Sequence, residues 1–197
     1  MQDIELEQAI DLLLAHTVPV RETERVPLLD AVGRTAAEEV RAGFDNPPFD
    51  RSPLDGYTFA AASTRTAAAE HPVCLHVIGE ECAGEFFTGA VGAGECVRIM
   101  TGGAIPKGCD CVVRQEDVRE DGDVIHVPFS SEPYENYCYA GEDIKKGTLL
   151  VLKGQAITAA HIAVLASEGY GDVLVYRRVR VAVASTGDEL LQPGEPL

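Results

Sequence analysis

Residues 95–113 read ECVRIMTGGAIPKGCDCVV, two β-branched runs parted by a turn rich in glycine and proline. The pattern predicts two short strands, because Gly102, Gly103, Pro106 and Gly108 break the chain where the apolar runs stop. The same texture extends outward in both directions. VCLHVIGEE at 73–81, DCVVRQEDV at 110–118 and DVIHV at 123–127 are short β-type runs, punctuated by Gly84, Gly89, Gly92, Gly94 and Gly122. Such spacing predicts a compact, largely antiparallel, barrel-like β domain between about Tyr57 and Val127.

On either side of this block the periodicity becomes helical or mixed. Residues 4–16, IELEQAIDLLLAH, bring Ile4, Ala9, Ile10, Leu13 and Leu14 near helical spacing, and Pro19 stops the helix. Residues 21–40 read as a short strand, one or two helical turns around 28–32 and a further extended piece. A Pro-rich bend, FDNPPFDRSPLDGY at 44–57, leads into the β domain. After GEDIKKGTLL, Thr158 is placed to cap a helix over AAHIAVLASE, with Gly169 to end it and a strand around 173–175. These late elements have little core of their own and are expected to pack on the N-terminal helix. The β domain would then be an insertion between two halves of one unit. Residues 179–184, VRVAVA, read as a buried strand that opens an α/β unit, with a small-residue turn at its carboxyl end. One strand is not a domain, so the sequence is read as a fragment. The fold class expected is α+β.

Composition narrows the partners. Hydrophobic residues make up 46% of the 197, with no tryptophan and 6% aromatics, so Val, Leu, Ile and Ala must build the core. The formal net charge of −16, from 32 acidic against 16 basic side chains, disfavours nucleic acid. No window carries the roughly 18 apolar residues of a membrane span, and the acidic N-terminus lacks a signal peptide's basic flank. A cytoplasmic protein is expected. The six cysteines (Cys74, Cys82, Cys96, Cys109, Cys111, Cys138) form no C-x-x-C pair and read as reduced, small hydrophobes. Cys109 and Cys111 would share one face if both lay in a strand. The five histidines form no ligand spacing, and G-x-S-x-G and Walker motifs are absent.

Four segments combine glycine or proline with a hydroxyl or a carboxylate: 52–57, 98–106, 141–143 and 185–189. Glycine admits close backbone approach, while Ser/Thr hydroxyls and N–H groups bond phosphate-like oxygens. Asp and Glu supply the hard oxygens that Mg²⁺ prefers, and the ion would reconcile an acidic surface with an anionic ligand. Each segment also has an ordinary reading as a turn or loop. The residues alone support a Mg²⁺-assisted phosphate-ligand site and nothing more specific.

Taken in order, PPFDRSPLDGY, VRIMTGGAIPKGCDCVV, GEDIKKG and RVRVAVASTGDELLQPGEPL resemble the MoeA family of molybdopterin molybdenumtransferases, which includes the gephyrin E-domain. The resemblance implies a homodimeric enzyme of molybdenum cofactor biosynthesis. Such an enzyme inserts molybdate (or tungstate) into adenylylated molybdopterin with Mg²⁺-dependent release of AMP, and molybdopterin adenylyltransferase would be its upstream partner. It implies residues 1–42 with 142–178 as one linker and dimerisation domain, 43–141 as the inserted β domain, and 179–197 as the start of a molybdopterin-binding α/β domain. By motif, Asp55, Thr101, Asp143 and Glu189 take the catalytic positions. Asp55 and Glu189 would lie near Mg²⁺ or molybdate, Thr101 and Ser52 on ligand oxygens, and Asp143 would orient the site. Gly56, Tyr57, Gly102, Ser185, Thr186, Gly187 and Asp188 would complete the cofactor-binding set, Gly187 letting its turn approach the ligand phosphate. The cleft would form between the β domain of one subunit and the α/β domain of the other, so the fragment should be inactive by itself.

Some positions depart from that family. Its loop usually reads PPFDNSAMDGY, where this chain has Arg51, Pro53 and Leu54. Before Gly-Glu-Asp it commonly carries Asn-Val-Arg-Arg, where this chain has Asn136, Tyr137, Cys138 and Tyr139. Arg51 is placed to restore part of the lost positive charge. The departures leave a second reading open, a non-catalytic scaffold or interaction paralogue that keeps the fold and dimerises.

Overall fold

The computed structural model describes residues 4–81, 84, 86–183, 185, 187, 190–191 and 193–196. It is a mixed α/β structure, mostly sheet, with two α-helices. The chain divides into two compact units, Met1–Val40 with Leu150–Leu197, and Arg41–Leu149. It passes between them through two short strands, β2 (Val40–Arg41) and β9 (Leu149–Val151), which pair in a two-stranded sheet.

In the first unit, β1 (Thr23–Pro27) pairs antiparallel with β10 (Asp172–Tyr176), Thr23 opposite Tyr176 and Pro27 opposite Asp172. A 3-10 turn, Leu28–Ala31, and helix α2 (Ala159–Ser167) close over this ribbon. The core is aliphatic: Leu28, Ala31, Ala36, Val40, Val151, Ile157, Ile162, Leu165, Val173 and Val175. Thr158 caps α2 as its sequence suggests. Its hydroxyl accepts from the His161 N–H at 3.3 Å, while the Thr158 N–H donates to His161 Nδ1 at 3.0 Å. Such a cap stabilises a helix by about 1 kcal/mol. Beyond Ser167 the chain turns at Gly169, whose φ of +80° falls where glycine is unstrained.

Two expectations fail in this unit. Helix α1 (Leu6–His16) forms but buries none of its residues, and the late elements pack on β1 and the 3-10 turn instead. The β1–β10 ribbon and α2 already cover one another's apolar faces, so α1 has no remaining core to join. Ile4, Leu13 and Leu14 are 52%, 70% and 66% exposed. The strand expected at 179–184 is also not formed. Residues 177–183 have no regular structure, and Ala184 lies outside the described residues. A strand needs a neighbour for its backbone groups, and among the described residues none pairs with this segment. Val179, Val181 and Val183 are consequently exposed.

The second unit is a curled six-stranded sheet, half a barrel, built from β3 (Gly56–Phe59), β4 (Val73–Glu81), β5 (Glu95–Ile99), β6 (Cys111–Arg114), β7 (Arg119–Asp121) and β8 (Val124–Val127). Their order across the sheet is β6-β3-β5-β4-β8-β7. All pairings are antiparallel except β4 with β5, which run parallel with an irregularity between Val77 and Glu80. With one parallel pair among five, the sheet is largely antiparallel, as its sequence pattern predicts. Cys111 lies in β6, but Cys109 belongs to the preceding loop, so the two do not share a strand face. Cys96 and Cys111 are fully buried, and burial pushes both thiols up to about 12. They are packing groups.

Strand β3 lies between β5 and β6, and all four of its residues are buried. Gly56 opens it at zero clearance. A Cβ there would fall 1.8 Å from the Val113 carbonyl oxygen of β6. Replacing Gly56 by Ala is therefore expected to destabilise the protein by about 3 kcal/mol or more, the upper end of overpacking costs. At Gly43 nothing lies within 4 Å of where a Cβ would stand. Gly43→Ala should therefore change stability by less than about 0.5 kcal/mol, both variants being read by urea denaturation.

Candidate functional site

The loop 49–57 is held from both sides by backbone hydrogen bonds. On one side Arg51 and Cys138 exchange N–H···O bonds at 2.9 and 3.0 Å. On the other, the Ser52 N–H donates to the Gly103 carbonyl at 2.9 Å, and the Gly102 N–H donates to the Ser52 carbonyl at 2.8 Å. The Ile105 N–H adds a bond to the Asp50 carbonyl at 2.9 Å. Parts of three of the four segments singled out in the sequence thus meet in the second unit as neighbouring turns joined by short bridges: 50–55, 101–105 and 137–143.

Asp55 is the exposed carboxylate at the tip. Its Oδ1 accepts from the Thr101 N–H at 2.7 Å and from the Thr101 hydroxyl at 2.8 Å. The backbone bond from Thr101, then its hydroxyl bond, and more weakly the charge of Arg98, hold this carboxyl below the usual aspartate range. Asp55 is ionised near neutrality, and Thr101 is locked to it. Gly102, with φ +85°, makes the turn that brings both Thr101 donors to one oxygen. Gly103 beside it is packed closely, since a Cβ would approach Ile99 Cγ1 at 2.9 Å.

Ser52 and Tyr57 have other tasks. The Ser52 hydroxyl is buried and donates to the Leu54 carbonyl at 2.5 Å, while the Leu54 N–H returns a bond to it at 3.2 Å. This hydroxyl shapes the loop from within. Tyr57 is 3% exposed and joins the core of the sheet with Phe59, Leu75 and Val113. Burial, aided by a hydrogen bond to Glu120, pushes its phenol up to about 12. Gly56 is buried beneath Val113. Of the sequence-selected positions on this loop, Asp55 is the one that faces solvent with its functional group.

Asp143 is exposed, and its carboxylate pairs with the Arg51 guanidinium at 3.6 Å. Its N–H donates to the Asn46 carbonyl at 3.1 Å, next to the cis Asn46–Pro47 peptide. Arg51 therefore carries positive charge toward the 141–143 segment, as its sequence position suggests, and Asp143 partly neutralises it. Ser185 and Gly187 belong to the first unit and are exposed without regular structure. Thr186, Asp188 and Glu189 lie outside the described residues.

The structure also assembles a group that motif reading passed over. In YENYCY, Tyr134, Tyr137 and Tyr139 come together with ring centroids 5.0–5.7 Å apart. The Tyr137 hydroxyl donates to Asp50 Oδ2 at 2.6 Å, and burial followed by this bond raises its phenol strongly. The Ala140 N–H occupies Asp50 Oδ1 at 2.8 Å, and the Tyr139 N–H donates to Glu142 Oε2 at 3.1 Å. Tyr134 and Asn136 adopt φ values of +63° and +51°, a left-handed conformation that costs a non-glycine residue about 1–2 kcal/mol. The sequence signal was available: three tyrosines within six residues, in a chain with six tyrosines overall.

Among the described residues, no cluster of three or more His, Cys, Asp or Glu side chains could hold a metal ion. Mg²⁺ needs only one or two carboxylates when phosphates and waters complete its shell, so Asp55 fits as a single protein ligand. The Asp55–Thr101 bonds also carry a pH signature. A depressed carboxyl pKa contributes stability that is present above the unfolded value and is lost as pH falls through the folded value. Thr101→Val removes one of the two bonds and should move the Asp55 pKa up toward the ordinary aspartate value, read by NMR titration of its carboxyl carbon.

No helix among the described residues is long and apolar enough to cross a membrane. The family model described as the MoeA N-terminal region (domain I and II) matches residues 4–169. The molybdopterin molybdenumtransferase of Haemophilus influenzae is 36% identical over 194 residues, covering 98% of this chain and 46% of that protein. The molybdopterin molybdenumtransferase of Bacillus subtilis is 39% identical over 188 residues, covering 93% of this chain and 44% of that protein. Two solved structures of the molybdopterin biosynthesis moeA protein of Pyrococcus horikoshii are similar to this chain. One has a TM-score of 0.83 at 37% identity, covering all of this chain and 50% of that one. The other has a TM-score of 0.79 at 39% identity, covering 86% and 45%. The chain thus spans somewhat less than half the length of the curated relatives it matches. By sequence and by fold, it belongs to the family of the MoeA N-terminal region.

Proposed function

We propose that this chain is the N-terminal portion of a molybdopterin molybdenumtransferase, a homodimeric, cytoplasmic enzyme of molybdenum cofactor biosynthesis. The reaction is insertion of molybdate into adenylylated molybdopterin, with Mg²⁺-dependent release of AMP. The observation that carries the reading is the ionised Asp55 carboxylate, fixed by both Thr101 donors at the tip of a loop braced from two sides. Relatives at 34–39% identity named molybdopterin molybdenumtransferase support the same assignment.

In this reading Asp55 offers one carboxylate oxygen to Mg²⁺, with Glu189 as the second acid, and the ion supplies positive charge against the substrate's phosphate oxygens. Thr101 does not move a proton. It holds Asp55 in one rotamer and keeps it charged, which lowers the reorganisation needed when an anionic ligand arrives. Asp143 sets the direction of the Arg51 guanidinium. Gly102 and Gly103 let the backbone turn tightly beneath the ligand. Residues 185–189, with Ser185, Thr186, Gly187 and Asp188 in the cofactor-binding set and Gly187 letting the turn approach the ligand phosphate, open the molybdopterin-binding domain, which meets the β unit of the other subunit. Residues 1–42 with 142–178 form the linker and dimerisation domain, and molybdopterin adenylyltransferase delivers the substrate.

The scaffold reading draws on one observation. Arg51 is already engaged by Asp143, so it leaves less free positive charge near the loop than two arginines would. The two readings separate in one assay on the full-length protein with adenylylated molybdopterin, molybdate and Mg²⁺. The enzyme reading expects AMP release that falls on the order of 10²-fold in Asp55→Asn, the scale of losing one fixed electrostatic group. The present chain by itself should release none. Absence of AMP from the wild-type full-length protein would overturn the assignment, and an Asp55→Asn rate equal to wild type would make the 52–57 loop structural rather than catalytic.

A further inference from the structure

We propose that the exposed faces of Tyr134 and Tyr139 are a stacking surface for a flat heteroaromatic ring bearing N–H groups, a purine or a pterin. The inference rests on the functional reading above, because adenylylated molybdopterin contains both kinds of ring.

Three features of the cluster point to a ligand rather than to ordinary packing. The two rings are large and open, at 56% and 48% exposure. They are also held in place. Tyr137, against which both lean, is tethered through its hydroxyl to Asp50, and the segment is bent by left-handed backbone at Tyr134 and Asn136. A rigid exposed aromatic face loses little conformational freedom when something stacks on it, and any heterocycle offers it a π-face. The rim has the matching polarity. Asp50 accepts the Tyr137 hydroxyl and the Ala140 N–H beside the rings, and its carboxylate retains lone pairs for the amino and ring N–H groups of a heterocycle.

The position suits a ligand that reaches the Asp55–Thr101 turn. Arg51 is bridged on one side to Cys138, between Tyr137 and Tyr139, and on the other to Ala104. The tyrosine segment and the 101–105 segment are therefore two strand spacings apart, roughly 10 Å. A molecule of nucleotide size spans that distance, with its ring on the tyrosines and its phosphate end toward Thr101. Arg51, the residue between the two segments, turns its guanidinium to Asp143 on the face it shares with Cys138, so the Asp50 face that carries the tyrosines is left to the ligand.

The test is direct binding of two neutral probes, adenosine and pterin, to this chain, read by saturation-transfer NMR. The absence of tryptophan leaves tyrosine emission as an independent optical readout. At least one probe should bind, and the stronger of the two identifies the ring. The Tyr134→Leu/Tyr139→Leu double variant should lose about tenfold or more in affinity, the scale of losing base–aromatic stacking. Tyr139→Phe, which keeps the ring, should bind close to wild type. Tyr134→Leu alone provides a milder loss if the double variant does not fold.

The proposal is overturned if neither probe binds at millimolar concentration, or if tetramethylammonium binds in place of both. It is also overturned if folded leucine variants bind as well as wild type, or change only the oligomeric state. Failure of the enzyme reading shows differently, as missing AMP release from the full-length protein with ring binding intact.

Discussion

The second unit depends on a single stretch of backbone that is hydrogen-bonded on both sides, at Arg51 and Ser52 and again along β3. From Arg51 to Phe59 the chain is bonded first to Cys138 and Gly103, then to β5 and β6. Gly56 lies at the change-over, where the carbonyl of Val113 leaves no room for a methyl group. A buried strand with neighbours on both sides cannot slip by one residue without turning its core face outward. The register of β3 therefore determines where Asp55 stands, one residue before the strand, and Asp55 can meet Thr101 only because β5 runs antiparallel beside it.

That arrangement holds one surface carboxylate in place on an acidic chain. In a molecule of net charge −16, an unsupported surface aspartate repels an anion and is free to rotate. Here the Thr101 N–H and hydroxyl fix one oxygen, and Arg98 adds positive charge from β5. Positive charge is local, supplied by Arg98 near Asp55 and by Arg51 opposite Asp143. The neighbouring tyrosines add contact area without adding charge.

Much of the secondary structure was legible from residue pattern. VCLHVIGEE became β4 over the same nine residues, and Thr158 and Gly169 bracket α2 because capping chemistry is local. The pairing of β4 with β5 was not legible as parallel, since periodicity reports which face a residue occupies and not which direction its neighbour runs. The exposed face of α1 escaped notice for a related reason: an apolar stripe shows that a helix can be covered, not that these residues cover it. VRVAVA has the composition of a buried strand but has no partner among the described residues, and composition alone cannot supply hydrogen bonds. Within the site, Asp55 and Thr101 were visible as motif members, whereas the burial of Ser52 and Tyr57 was not. A hydroxyl in a Gly/Pro loop reads the same whether it points outward or closes its own turn.

The sequence by itself determined the family, the β texture between Tyr57 and Val127, the caps and turns, and the acidic character of the molecule. All of these follow from local backbone preference, residue pattern and summed charge. Tertiary structure decided which hydroxyls are spent internally, which carboxylate is held ionised, that Arg51 faces Asp143, and that three tyrosines share one surface. Those are contacts between residues up to about ninety positions apart, such as Asp50 with Ala140, and the sheet alone brings them within hydrogen-bond reach.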